Sequence, residues 1–502
     1  MPIDRLVIVA DAAAMHRLLL LSLLFLIHTL CAADTLRIGS KRFTESYILA
    51  EVLAQAVAPH AATEVKAGLG NTAIVYAALR AGSIDLYPEY AGTVDQEILK
   101  NDKPSTSLAA MRAQLQPLGL GVDIALGFNN GYALAMRADV AKKLNIAKLS
   151  DLAAHPALRL GLSNEFIGRA DGWLGLAKRY ALPQKPTGLD HGLAFDAVAR
   201  AQVDVIDIYT TDAKIGHLGL TVLSDDGAYF PRYDAVVLYR LDVPQRFAAA
   251  WAALQAQAGR IDEAAMIAMN ARAELQSVAF DVIARDHLAG ARQPDQKRGF
   301  WAKLFGPDLA RLAWQHLILV VASVALAVVI GVPLAVAITP HERVRGVVLG
   351  ATGLLQTIPS LALLAALISL VDRIGSLPAL LALTTYALLP IMRNTCTGLT
   401  EVPAGLKLAG AALGLSSVQS LRLIELPLAL PTVIAGIRTA TSIAVGTATI
   451  AAFIGAGGFG ERIVTGLALN DKALLLAGAL PSAALALAFE GLFGLLAWKT
   501  RR

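Results

Sequence analysis

Cysteine is nearly absent from this chain. There are two in 502 residues, Cys31 and Cys396, and they stand in such different surroundings that no disulfide framework, zinc site or redox pair can be built from them. No G-x-x-x-x-G-K-[ST] run occurs, so nothing cradles a nucleotide phosphate. The nine histidines are scattered without H-E-x-x-H or comparable metal spacing, and no Ser-His-Asp arrangement can be argued. No catalytic residue, metal or resident cofactor is therefore expected. Nor does the charge point to nucleic acid. Through Arg311 there are 32 Lys+Arg against 32 Asp+Glu, and from Leu312 onward 12 against 7, so the whole formal +5 sits in the last part of the chain. There the basic residues gather where apolar runs end ("PHERVRG", "MRN", "WKTRR"), as at the cytoplasmic side of membrane proteins.

What is present divides in two, as the length demands. Residues 1–33 read as an export signal, with "MHRLLLLSLLFLIHTLCAAD" supplying a basic start, an apolar stretch and small residues before Asp34. Asp4 and Asp11 suit such a start badly, which makes Met15 the alternative start, and bulky Leu30 argues against a lipid anchor on Cys31. Residues 34–290 read as an exported α/β unit. "TLRIG", "LRLGLS" and "DVIDIY" have strand patterns, and Ile48, Leu49, Val52, Leu53 and Val57 recur at helical spacing. Two lobes with a ligand cleft between them are expected. A polar linker, 291–311, leads to a membrane domain over 312–502.

Five apolar segments lie there: Leu312–Ile338, Val347–Val371, about Leu377–Met392, about Leu426–Phe453 and Ala473–Trp498. Most reach the roughly 20 residues that a spanning helix needs. The third is short, with Pro378 and Pro390 blurring its ends. An exported first unit followed by five spans puts the loop from Asn394 to Glu425 in the cytoplasm. Gln356, Thr357, Thr384, Thr385 and Asn394 are polar residues inside spans, either lining a path or gluing helices, and Pro359 reads as a kink in its helix rather than a substrate contact.

The aromatic content is only 6%, yet ten of the eleven tyrosines fall in the exported half. In "DLYPEYAGT" Tyr87 and Tyr90 stand three apart in what reads as a loop. Tyr90, Tyr132 in "FNNGYAL", Tyr209 in "DIYTTD" and Tyr233 in "FPRYDA" all sit in polar, turn-like contexts. Brought together, four such rings would offer electron-rich faces to a cation that donates no hydrogen bond, a quaternary ammonium group.

"IGSKRFTES", "DLYPEYAGT", "FNNGYAL", "EFIGRADGW", "IYTTDAKI" and "FPRYDA", in that order, resemble the substrate-binding proteins of osmoprotectant ABC importers for glycine betaine, carnitine, choline or proline betaine. The resemblance places the aromatic cage on Tyr90, Tyr132, Tyr209 and Tyr233 and the ligands of a substrate carboxylate on Lys41, Thr93 and Arg169. Asn130 stands where relatives often carry Asp. Taken alone, Lys41 reads equally well as a solvated head group, and Arg169 as a surface ion pair with Glu165 or Asp171.

"LAGAALGLSSVQSLRLIELPLALPTVIAGIRTA" resembles the loop through which importer permeases engage their ATPase, which places the coupling residues at Ala409, Gly414, Leu426 and Pro427. Leu408 replaces the usual acidic residue. The resemblance implies a clamshell binding domain fused to an all-α type I importer permease in the bacterial inner membrane, binding domain periplasmic. It implies an ATPase partner that uses the ATP, a second permease subunit forming a homodimer, surrounding lipid, and a small quaternary-ammonium ligand. The rivals are a ligand-gated receptor or channel and an importer for an amino acid; the former would call for a re-entrant pore segment or a cytoplasmic signalling domain, and an amino-acid site has no use for four caged tyrosines.

Overall fold

The computed structural model describes residues 34–101, 107–290, 299–371, 373–469 and 471–500. The expected leader, residues 291–298 of the expected linker and the final two arginines lie outside them. Strand β1 (Thr35–Gly39) leads into helix α1 (Thr44–Val57), whose Ile48, Leu49, Val52, Leu53 and Val57 are all buried. The chain continues through β2 (Ala62–Lys66), helix α2 (Thr72–Arg80), β3 (Leu86–Tyr90), β4 (Leu120–Asp123) and β5 (Tyr132–Arg137). Then come β6 (Leu160–Ser163), helix α3 (Asn164–Gly168), β7 (Thr187–Leu189), helix α4 (His191–Ala199), β8 (Val205–Tyr209), β9 (Leu220–Val222), β10 (Ala235–Arg240) and helix α5 (Glu263–Glu274).

These strands form two five-stranded sheets, β2-β1-β3-β10-β4 and β7-β6-β8-β5-β9. Strand β10 returns to the first sheet antiparallel to β3 and β4, so the chain crosses between lobes twice, after β4 and before β10. The crossings are tied to each other by a bridge between Asn129 and Asp234.

The expected loop at Tyr87 and Tyr90 is instead strand β3, buried along its whole length. Pro88 misled the reading, because proline removes a ladder donor. It is tolerated because the pairing of β3 with β1 registers only Ile38 with Leu86, so that neighbour has ended before Pro88 is reached. Residues three apart on a strand point to opposite faces. Tyr87 accordingly fills the core of the first lobe, while Tyr90 closes the strand at the cleft.

Beyond the short helix Phe300–Leu304 the domain is helical. Its long helices are α6 (Leu309–Ile338), α7 (Glu342–Thr357), α8 (Ser360–Val371) and α9 (Ser376–Thr400), then a short α10 (Ala404–Ala412), α11 (Leu426–Ala448), α12 (Gly460–Ala468) and α13 (Lys472–Thr500). Among the described residues four helical stretches are long and apolar enough to cross a membrane, or five if α7 and α8 count as one span.

The second apolar segment is a pair of helices bent by 101° at Pro359, the proline expected to kink it. The third is no short segment but the 25-residue α9, with Pro378 and Pro390 inside it. Proline at 390 cannot donate to the carbonyl of Tyr386, and that oxygen is served by Gln356 Nε2 from α7 at 2.8 Å. Thr357, Thr384, Thr385 and Asn394 also spend their side chains on carbonyls of their own helices, at 2.7–2.8 Å. Of the five, Gln356 and Thr384, which also reaches Ser323 O on α6 at 3.4 Å, are the ones that join one helix to another.

The first lobe sits on the helical domain. Ile374, just before α9, packs in the same cluster as Leu69, and the Arg42 guanidinium lies 4.7 Å over the Phe453 ring. On the second lobe Gly192 meets the carbonyls of Leu467 and Ala468 at the end of α12, so closely that a Cβ would stand 2.4 Å from Ala468 O. Helix α9 starts beside Ile374, at the first-lobe contact, and runs roughly 37 Å along its axis at about 1.5 Å per residue. The segment 401–425 therefore emerges on the face opposite the two lobes.

Candidate functional site

The cleft is built from strand ends. Tyr90 ends β3, Tyr132 begins β5, Tyr209 ends β8 and Tyr233 precedes β10, so the rings meet where both crossings run. All eight residues expected at the ligand, Lys41, Tyr90, Thr93, Asn130, Tyr132, Arg169, Tyr209 and Tyr233, line one small cavity between the lobes, together with Phe43 and Glu165. Phe43 is a fifth ring that the emphasis on tyrosine missed, although it stands in "SKRFTES" two residues from Lys41. Ring centroids lie 5.1 Å apart for Tyr132–Tyr209 and for Phe43–Tyr209, 5.7 Å for Tyr132–Tyr233 and 6.2 Å for Phe43–Tyr90. The space left among them holds about one water molecule.

The protein's own two cations lie over three of the rings. Lys41 Nζ lies 5.1 Å from the Tyr90 centroid and 5.9 Å from that of Phe43, and the Arg169 guanidinium lies 5.1 Å over Tyr132. Neither is a solvated head group or a surface pair. Lys41 is buried against Glu89, and Arg169 is buried and held by both oxygens of Asp171 at 2.7 Å. Its Nη2 also donates to Thr93 Oγ1 at 3.2 Å, while Nη1 stands 3.7 Å from Glu165. Burial holds the phenols of Tyr90, Tyr132, Tyr209 and Tyr233 well above their ordinary pKa, so each is a neutral ring.

The lobes are closed on one another. Across the cleft Thr72 Oγ1 donates to Glu165 at 3.1 Å, Tyr233 OH to Asp171 at 2.7 Å, and the Ala170 amide to Glu97 at 3.3 Å. Asn130 is turned inward: Nδ2 donates to Glu45 at 2.9 Å and Oδ1 accepts from the Thr211 amide at 3.3 Å. Glu45, unremarked in the sequence, is pushed up to about 7 because burial outweighs the hydrogen bonds it accepts. His191 was equally unmarked. Its ring lies 4.3 Å from that of Tyr209, on the first residue of α4, with Nε2 3.1 Å from Asp212 and Nδ1 3.9 Å from Asp207. Burial opposes its charge, but Asp212 and Asp207 outweigh that and push it up to about 10.

At the far end, Ala409 lies exposed in α10 and Gly414 follows the helix end with φ of 80°, a left-handed turn that glycine adopts without strain. The Gly414 amide donates to Ala411 O and that of Leu415 to Gly410 O. Leu426 and Pro427 are the first residues of α11. Leu408, Leu413 and Val418 present 71%, 82% and 72% of their surface to solvent, an apolar patch on the face opposite the lobes.

Known proteins resemble both halves. Residues 34–290 match the family described as the substrate binding domain of ABC-type glycine betaine transport systems, and 327–502 that of the binding-protein-dependent transport system inner membrane component. The osmoprotectant import permease protein OsmW of Salmonella typhimurium is 47% identical over 188 residues, 37% of this chain and 87% of its own length. The glycine betaine/carnitine/choline transport system permease protein OpuCD of Bacillus subtilis is 42% identical over 202 residues, 40% of this chain and 88% of its own. A crystal structure of a glycine betaine/carnitine/choline ABC transporter superimposes with a TM-score of 0.44 at 25% identity, covering 51% of this chain and 98% of its own.

The raised His191 makes a signed prediction. A cation gaining partners on folding contributes stability that is complete below its unfolded value of 6.5 and is lost as pH rises through about 10. His191→Gln should therefore lower the thermal midpoint relative to wild type most near pH 6, with the difference shrinking toward pH 10. A difference unchanged over that range would contradict the ion-paired ring.

Proposed function

The chain belongs to the substrate-binding domain family of ABC-type glycine betaine transport systems and, over its second half, to the binding-protein-dependent permeases, and from that premise we propose how it works. It is a transporter component, not an enzyme. The two-lobed domain captures a quaternary-ammonium osmoprotectant on the outer side of the bacterial cytoplasmic membrane, and the helical domain forms the path together with a second copy of itself. A separate ABC ATPase, seated on the α10–α11 face, supplies the energy and uses the ATP. The families favour neither the channel nor the amino-acid importer.

The observation that carries the substrate reading is the convergence of five rings and two paired cations on one cavity at the lobe seam. At about 0.5 to 2 kcal/mol per ring, four or five faces supply much of the roughly 8 kcal/mol of micromolar binding. The closed cavity is far smaller than a trimethylammonium group, so the ligand enters with the lobes apart. Its cation then takes the ring faces that Lys41 and Arg169 now cover. For a betaine, Thr93 and the Nη1 edge of Arg169 remain to meet the carboxylate, since Nε and Nη2 are engaged by Asp171. Fusion holds domain and permease together, so delivery is intramolecular.

Replacing Tyr90 or Tyr233 by Ala should weaken glycine betaine and choline binding by at least about 1 kcal/mol in a calorimetric titration. Unchanged affinity in both variants would remove the cage. Arg169→Ala should harm glycine betaine more than choline, which has no carboxylate; equal losses would count against the carboxylate role.

In proteoliposomes, uptake should require the added ATPase. Gly414→Trp should stop it, because the indole would hold the partner's surface away from α10, whereas Gly414→Ala, strained at the same positive φ but small, should keep most of it. ATP-driven uptake by the purified chain alone would overturn the reading.

A further inference from the structure

Glu45 is unlike the other buried carboxylates of the cleft. Glu89 holds Lys41 and Asp171 holds Arg169. Glu45 holds no cation; four neutral donors surround it. On Oε1 it accepts from Tyr90 OH at 2.5 Å and Asn130 Nδ2 at 2.9 Å, and on Oε2 from Thr211 Oγ1 at 2.5 Å and Asn270 Nδ2 at 3.2 Å. These donors come from different parts of the clamshell. Glu45, Tyr90 and Asn270 belong to the first lobe, Asn130 lies on a crossing, and Thr211 follows Tyr209 in the second lobe.

One carboxylate thus ties a cage ring of one lobe to the segment that carries a cage ring of the other. Thr211 has few other ways to be held there: its amide donates to Asn130 and its carbonyl accepts from Asn270 Nδ2 at 3.1 Å, both partners of Glu45 themselves. A buried carboxylate deprived of a donor is left short of a strong hydrogen bond, and its remaining partners shift to compensate. Losing Thr211 from one oxygen should therefore disturb Tyr90 on the other.

We propose that Glu45 is a positioning residue that makes closure of the second lobe and the orientation of Tyr90 a single event, so that the ring reaches its binding pose only when the lobes have met. This rests on the ligand reading above. Glu45 does not touch the ligand; it acts through Tyr90 and Thr211.

The test is a double-mutant cycle on the full chain in nanodiscs, titrated with glycine betaine and with choline. Thr211→Val keeps the shape and loses the hydroxyl, and Tyr90→Phe keeps the ring and loses the hydroxyl. Each should weaken both ligands about ten-fold, and the double variant should be little weaker than either alone, because both act through one carboxylate. Thr211→Ser should bind within about three-fold of wild type, since the hydroxyl is restored. Losses that multiply to about a hundred-fold, a Thr211→Val variant that binds as wild type, or a Thr211→Ser variant as weak as Thr211→Val would each overturn the proposal. Wild-type protein that binds neither ligand would instead bring down the substrate reading, and the latch with it.

Discussion

A quaternary ammonium group is fully alkylated, so it offers no N–H to an acceptor and cannot be recognised by the hydrogen bonds that distinguish most small cations. What remains is the attraction between its spread charge and the negative faces of aromatic rings, which weakens steeply unless several rings surround it and water is excluded. That constraint shapes the exported half. No single sheet can surround an ion with rings, so they are contributed from strand ends of both lobes, Tyr90 and Tyr233 on one side and Tyr132 and Tyr209 on the other. Closure and recognition then become the same act.

The packing around the rings follows from what such a site cannot tolerate. Ring faces attract a cation best when water is excluded, and burial threatens every charge nearby. Lys41 and Arg169 are therefore each given a carboxylate, and His191 behind Tyr209 is given two. With these pairs formed, the closed site is nearly filled by its own side chains. On the proposed function, ligand capture is an exchange in which a methylated cation replaces internal cations on the ring faces.

The ordered motifs made the grouping of these residues legible in the sequence, because residue types at fixed strand ends survive folding as neighbours; the eight expected residues do line one cavity. What escaped reading depended on contacts between distant segments. Glu45 and Thr211 are 166 positions apart and look like any polar residues until the lobes meet. Strand β3 was misread because Pro88 argues locally against a ladder that only the short reach of β1 permits. In the membrane half the apolar runs marked the spans and Pro359 marked a kink, but nothing showed that Gln356 on α7 would serve the carbonyl freed by Pro390 and so keep α9 whole. Hydropathy reports how apolar a segment is, not who satisfies its backbone.

The central claim is that ring faces, and not hydrogen bonds, recognise the cationic end of the ligand. It is tested most directly by titrating the wild-type chain with glycine and its mono-, di- and trimethylated forms, which keep one carboxylate and one positive charge while N–H donors are replaced by methyl groups. Affinity should rise with each methyl and be greatest for glycine betaine. Affinity that is flat across the series, or greatest for glycine, would contradict it.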